Sequence, residues 1–241
     1  MYDGNVEKLH IDIWSDIACP WCYIGKRRLE QALARFPHRD DVEIAWRAFE
    51  LDASAPRVLD IQQSYAERLA RKYGTSRAQG QAMIDRMVDT AAQDGLELRF
   101  DHIRPGNTFD AHRLLHLAHD RGKQGALKER FLRAYLTEGQ PIGEPEVLVP
   151  LAREVGLDDQ EVRGVLDGDR YFAEVRQDEA IARELGIHGV PFFVMAGRLG
   201  VSGARPAEVL SSALDRAWSE LHGPESERFA EGAACGPDGC G

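Results

Sequence analysis

The sequence predicts an α/β protein: a sheet-centred domain in two pieces, 1–59 and 186–222, separated by an all-helical insertion over 60–185, with a tail at 223–241. Three observations predict it. The first fifty residues alternate strand, helix and strand patterns. The middle is helical text broken by Gly and Pro. Strand text returns only after Gly189.

Taken in order, "KLHIDIWSD" (8–16) mixes β-branched and aromatic residues with an alternating tendency and reads as a strand. In "WCYIGKRRLEQALARF", Leu29, Leu33 and Phe36 recur at helical spacing, so a helix begins at or just after the cysteines. "DVEIAWRAFEL" (41–51) is a second strand. Helices are expected at 60–73, 76–94, 108–121, 124–138, 144–155, 159–167 and 170–185, with "LELRF" (96–100) as a short extended piece. "GVPFFVMAGRLGVSG" (189–203) reads as a hairpin turning at Ala196-Gly197-Arg198. A last helix follows over 206–221, with Pro206 in its first turn. The polar, Gly-rich end reads as a tail.

Composition narrows the function. A net charge of −10, from 40 acidic and 30 basic residues, opposes a nucleic-acid footprint, which needs a basic patch. No apolar run approaches the roughly 20 residues that cross a bilayer. The N-terminus lacks a basic segment followed by an apolar one, so the expected compartment is the cytoplasm, with no membrane partner.

The four cysteines form two close pairs, Cys19/Cys22 and Cys235/Cys240. Spacing alone leaves Cys19/Cys22 open between a zinc clip and a redox dithiol. Three features favour redox. Pro20-Trp21 is rigid and bulky where a zinc knuckle has turn formers. A strand-to-helix junction stabilises a thiolate through the helix dipole and free N–H groups. A closed zinc site also needs about four ligands, and the second pair lies in the tail. Cys19, at the outer edge of the helix, is expected to be the exposed nucleophile, and Cys22, one turn further in, the resolving thiol. Between Cys235 and Cys240, Gly-Pro-Asp-Gly is a turn able to bring two thiols together, so this pair is a candidate auxiliary dithiol.

"SDIACPWCYIGKRRLE" together with "HGVPFFV" resembles the DsbA family of thioredoxin-fold oxidoreductases, and "WRAFELDASAP", "NTFDAHRL" and "RAYLTEGQPIG" resemble its FrnE-like branch. The resemblance covers nearly the whole chain. It implies a thioredoxin fold with a helical insertion, and a cis proline at Pro191 facing the dithiol. It also implies that Val190 offers backbone hydrogen bonds to a substrate. Protein or peptide disulfides and a thiol donor or acceptor are the implied partners, with no organic cofactor and no metal. Monomer and dimer stay open. Two departures matter. Pro-Trp replaces the Pro-His of strongly oxidising members, and the buried acid that thioredoxins keep six residues before the first cysteine is Ile13 here. Asp12 and Asp16 flank the site instead as candidate proton acceptors for Cys22, although Asp16 also suits a loop cap.

Two alternatives stand beside redox exchange: a glutathione-dependent isomerase of the hydroxychromene-carboxylate type, which resembles this chain in its insertion but carries serine where Cys19 stands, and a zinc-binding protein using all four thiols. His112, His116 and His119 share one helix face, a spacing a metal could use, but no Glu completes a metalloprotease motif. His112 is also a candidate for the cleft between insertion and sheet, His188 for tuning Cys19, and Trp21 for a flat substrate surface.

Overall fold

The computed structural model describes residues 6–57 and 63–223. Strand β1 (Leu9–Ser15) leads through the dithiol turn into helix α1 (Pro20–Arg35), a 3-10 turn, and strand β2 (Val42–Ala48). The insertion supplies α2 (Tyr65–Tyr73), α3 (Arg77–Gln93), α4 (Phe109–Asp120), α5 (Gln124–Leu136), α6 (Pro145–Glu154), α7 (Asp159–Asp167) and α8 (Phe172–Glu184). Strands β3 (Phe192–Met195) and β4 (Leu199–Ser202) and helix α9 (Ala207–His222) follow. The sheet order is β2-β1-β3-β4, with β1 parallel to β2 and antiparallel to β3.

Alternation along β1 decides what each face meets. Leu9, Ile11 and Ile13 turn to one side, where Leu29 and Ala32 of α1 and Leu210 and Leu214 of α9 bury them. Trp14 turns to the other side, against Ala182 and Ile187. A larger cluster fills the insertion and takes in Ile17, Tyr23 and Ile24, the residues around the dithiol. Each of these large apolar side chains contributes roughly 1.5–3 kcal/mol on burial, so the turn bearing the cysteines is clamped from the insertion's side.

Strand β2 is one of the sheet's two edges, and side chains of the insertion complete it. Gln124 of α5 accepts from Trp46 N and donates to Trp46 O, both at 2.9 Å, and Asp178 of α8 accepts from Ala48 N at 2.8 Å. An unpaired edge is thereby satisfied without another strand.

Several boundaries differ from expectation for local reasons. β2 stops at Ala48 rather than residue 51, because Leu51 N donates to the Asp16 carboxylate (2.8 Å) instead of to a ladder. The first insertion helix begins at Tyr65, where Ser64 and Glu67 form a capping box; residues 58–62 lie outside the described set. Residues 96–100 run extended with alternating burial but pair through Arg99 N to Leu136 O (2.8 Å), not in the sheet. Tyr171 sits at φ 63°, so α8 starts at Phe172. Pro206 caps α9 rather than opening its first turn. The Cys235/Cys240 pair lies outside the described residues.

Candidate active site

Cys19 occupies the N-cap of α1 and Pro20 its first helical position, which needs no N–H donor. Cys22 follows one turn in, its N–H bonded to Cys19 O at 3.0 Å. The Val190–Pro191 peptide bond is cis. The Cys19 thiol points at the Val190 carbonyl, Sγ to O 3.7 Å, so the dithiol and this loop meet face to face. Gly25 makes the approach possible: a Cβ there would come within 2.8 Å of Pro191 Cγ.

Cys19 is only 5% exposed and Cys22 not at all. The expectation of an exposed Cys19 is corrected: the proline loop and the insertion cover the residue, which lines a cleft of about 560 Å³. That cleft is bounded by Trp21, which is 39% exposed, by His188 and Val190, and by α2 and α3 across from them.

Behind the cysteines lies a buried polar cluster. Asp16, at the end of β1, holds Leu51 N with one oxygen; the other lies 3.3 Å from His112 Nε2 and 3.4 Å from Ala18 N. Burial opposes the Asp16 charge, but the His112 contact, then Leu51 N–H and the Lys128 charge, outweigh it and hold the carboxyl below its usual range. Burial pushes the His112 pKa down. Lys128 is fully buried, its Nζ 3.3 Å from Ser15 O and 5.5 Å from the Trp46 ring centre. Burial pushes its pKa down to about 8, although Cys22, Asp16 and Cys19 pull upward.

The two thiols titrate as a unit. Burial raises the Cys22 thiol, yet the hydrogen bond from Cys19 and the Lys128 charge, with Ser15, bring it below the ordinary thiol value. Ser15 Oγ is buried and makes no other contact of hydrogen-bond length among the described residues, which leaves it free to turn to the Cys22 sulfur. Cys19 is pushed well up by its hydrogen bond to Cys22 and by burial. The first proton therefore leaves readily and the second is held. The lowering expected of a thiol at a helix start falls on the inner sulfur, through the hydrogen bond with Cys19 first and the buried Lys128 charge second.

The remaining candidates separate. Asp12 is ion-paired to Arg47 (2.7 Å) rather than to the dithiol cluster. His116 turns to Asp178 (3.0 Å) and His119 to solvent, so the helix-face histidines do not converge with His112. Among the described residues, no group of three or more His, Cys, Asp or Glu side chains is placed to hold a metal. Lys128, Gly25 and Ser15 escaped sequence reading. Lys128 did leave a signal, since it falls between Gln124 and Phe131 on the apolar stripe of α5.

A thiol pair at a helix N-terminus, opposed by a cis-proline loop on a sheet of this order, defines a thioredoxin-fold thiol–disulfide oxidoreductase. Comparison with known proteins makes this more specific. The model of the DSBA-like thioredoxin domain matches residues 10–215, and the chain belongs to that family of enzymes. It is similar to the "probable DsbA oxidoreductase SCO1869" of Streptomyces coelicolor, with 48% identity and a TM-score of 0.83 over 97% of this chain and 98% of that one. The uncharacterized protein YwbO of Bacillus subtilis is 30% identical over 208 residues, 86% of this chain and 96% of YwbO. A 2-hydroxychromene-2-carboxylate isomerase shares the fold, at 14% identity and a TM-score of 0.62 over 88% of this chain and 97% of that one.

Proposed function

We propose that the protein exchanges two electrons between the Cys19/Cys22 dithiol and disulfides of proteins or peptides, with Cys19 attacking and Cys22 resolving. The observation that carries this reading is the asymmetry of the pair: Cys19 lines the cleft and faces Val190 O, while Cys22 is sealed behind it against Ser15 and Lys128.

The first ionisation leaves one proton shared between the sulfurs. Its transfer from Cys19 to Cys22 puts the charge on the sulfur facing the cleft. Cys19 S⁻ attacks one substrate sulfur, the substrate S–S bond breaks, and the leaving thiolate takes up a proton from water. Cys22 then gives its proton to the buried cluster, where the neutral form of Lys128 is the base within reach of neutral pH. Attack of Cys22 on Cys19 Sγ forms the enzyme disulfide and expels the second substrate thiolate. Substrate gains two electrons and the enzyme loses two; a thiol donor restores the dithiol. The steps reverse with an acceptor.

On this reading the chemistry needs no organic cofactor and no metal, the site of action is the cytoplasm, and the chain falls in the FrnE-like branch by its interior segments. Cys235/Cys240 would relay electrons to or from the catalytic pair. Protein reduced by a dithiol donor is expected to reduce insulin disulfides. Cys19→Ser should lower that rate by at least about 10³-fold, and Cys22→Ser should accumulate mixed disulfides visible by mass spectrometry. Full activity in Cys19→Ser would sink the mechanism. Cys235→Ser/Cys240→Ser should slow turnover with some electron donors; unchanged rates with every donor would remove the relay. The isomerase reading predicts saturable glutathione binding that survives Cys19→Ser.

A further inference from the structure

Arg68, Arg71 and Lys72 of α2 and Arg86 of α3 have no ion pair to a carboxylate among the described residues. Most other arginines of this acidic chain are paired, as Arg27 is with Glu129, Arg130 with Glu154 and Arg153 with Asp159, and those that are not, such as Arg104 and Arg198, line neither cleft beside the dithiol. The four cations stand on one side of the dithiol. Lys72 and Arg86 line the cleft that opens on Cys19, and among the described residues no Asp or Glu lines it. Arg68, Arg71 and Lys72 line a second cleft of about 370 Å³ that continues from the first past Ala18, Leu51 and Leu69. Of its two acids, Asp16 is already bonded to Leu51 N and His112, and Asp52 holds Ser54.

Arg68 adds an independent sign. Its guanidinium carbon lies 4.7 Å from the centre of the Tyr65 ring, and its Nε is buried with no hydrogen-bond partner. A buried guanidinium N–H without an acceptor carries an unmet desolvation cost, which an incoming carboxylate would remove with a charge-assisted bond. The wall is also held in place. A Cβ on Gly80 would come within 2.3 Å of Ala66 O, so α3 packs directly on the backbone of α2. Between the cations the cleft offers Leu51, Leu69, Met83, Met87 and Tyr73, apolar surface suited to a polypeptide rather than to an isolated anion.

We propose that the α2–α3 wall reads carboxylates, so that the enzyme selects polypeptide disulfides whose flanking segments carry Asp or Glu among apolar residues. This rests on the disulfide-exchange reading above. The test uses synthetic peptides, each with one intramolecular disulfide and identical except for flanking Glu, Gln or Lys. With dithiol-reduced full-length protein, the Glu peptide should react about tenfold faster than the Lys peptide at low ionic strength, and the ratio should shrink toward one in high salt. Lys72→Glu/Arg86→Glu, both exposed positions, should level or invert the order, read as the Glu-to-Lys rate ratio so that a change common to all peptides cancels. Equal rates for Glu and Lys peptides, an order unchanged in the double variant, or a preference seen only with glutathione disulfide and in no peptide would each overturn the proposal. If no peptide reacts, the exchange reading fails by itself, and fluorescence-anisotropy titration of the same peptides against Cys19→Ser still decides the subsite by the Glu-to-Lys affinity ratio.

Discussion

Lys128 shows how one residue ties stability to chemistry. Its side chain is buried beside Ser15 O, and its pKa of about 8 lies below the ordinary 10.5. A lysine with a lowered folded value binds fewer protons folded than unfolded, so the penalty is full below about pH 8 and fades by pH 10.5. At neutral pH it amounts to about 3 kcal/mol. Lys128→Met keeps the volume and removes the charge. It is expected to raise stability at pH 7 by up to about 3 kcal/mol, less what Asp16 and Cys22 lose, with the gain fading toward pH 10.5. In the same variant the thiolate absorbance near 240 nm should titrate at higher pH, since the Cys22 anion has lost its cation. A thiolate midpoint that does not move would take Lys128 out of the mechanism.

At the scale of elements, the sheet is completed by side chains rather than by another strand. Gln124 gives β2 both the acceptor and the donor that a neighbouring strand would supply at Trp46. Gln124→Ala leaves one N–H and one C=O unpaired at a buried site and should cost about 1–3 kcal/mol in denaturant unfolding. Gln124→Glu keeps the acceptor for Trp46 N but loses the donor to Trp46 O, and carries a charge into the edge. It should not recover the wild-type value, whereas a loss of under about 0.5 kcal/mol for Gln124→Ala would mean that water replaces the bond.

Over the whole molecule, sheet and insertion meet across Asp16 and His112, both buried, and through Ile17, Tyr23 and Ile24 in the insertion's core. This couples folding to pH with a definite sign. His112 has a folded pKa below 6.5, so as pH falls through 6.5 the unfolded chain takes up a proton that the fold refuses. The Asp16 carboxyl lies below its ordinary 3.8, so its contribution is full above that value and is lost as pH falls through the folded one. Both effects weaken the fold in acid. Denaturant titrations should show stability falling from about pH 7 downward, with His112→Asn removing the first part of the fall. Far-ultraviolet dichroism and tryptophan fluorescence should report one coincident transition.

Local patterns were enough to place most elements. Alternation in "LHIDIWS" and helical spacing in the insertion depend on neighbours within a turn or two, and those periods survive folding. The Cys19/Cys22 pair and Pro191 were legible for the same reason: a dithiol between strand and helix, and a proline before an apolar strand, are local signals. What needed the tertiary structure lies across long separations. The burial of Cys19 comes from a loop 171 residues away, and the inner thiol is lowered by its hydrogen bond with Cys19 and then by a lysine on α5. The end of β2 depends on Asp16 and Asp178, and the seating of α1 on a missing Cβ at Gly25. Charge and burial act through space, so the sequence by itself determined where the paired sulfurs stand along the chain. Only the fold decided which sulfur lines the cleft and which is sealed behind it.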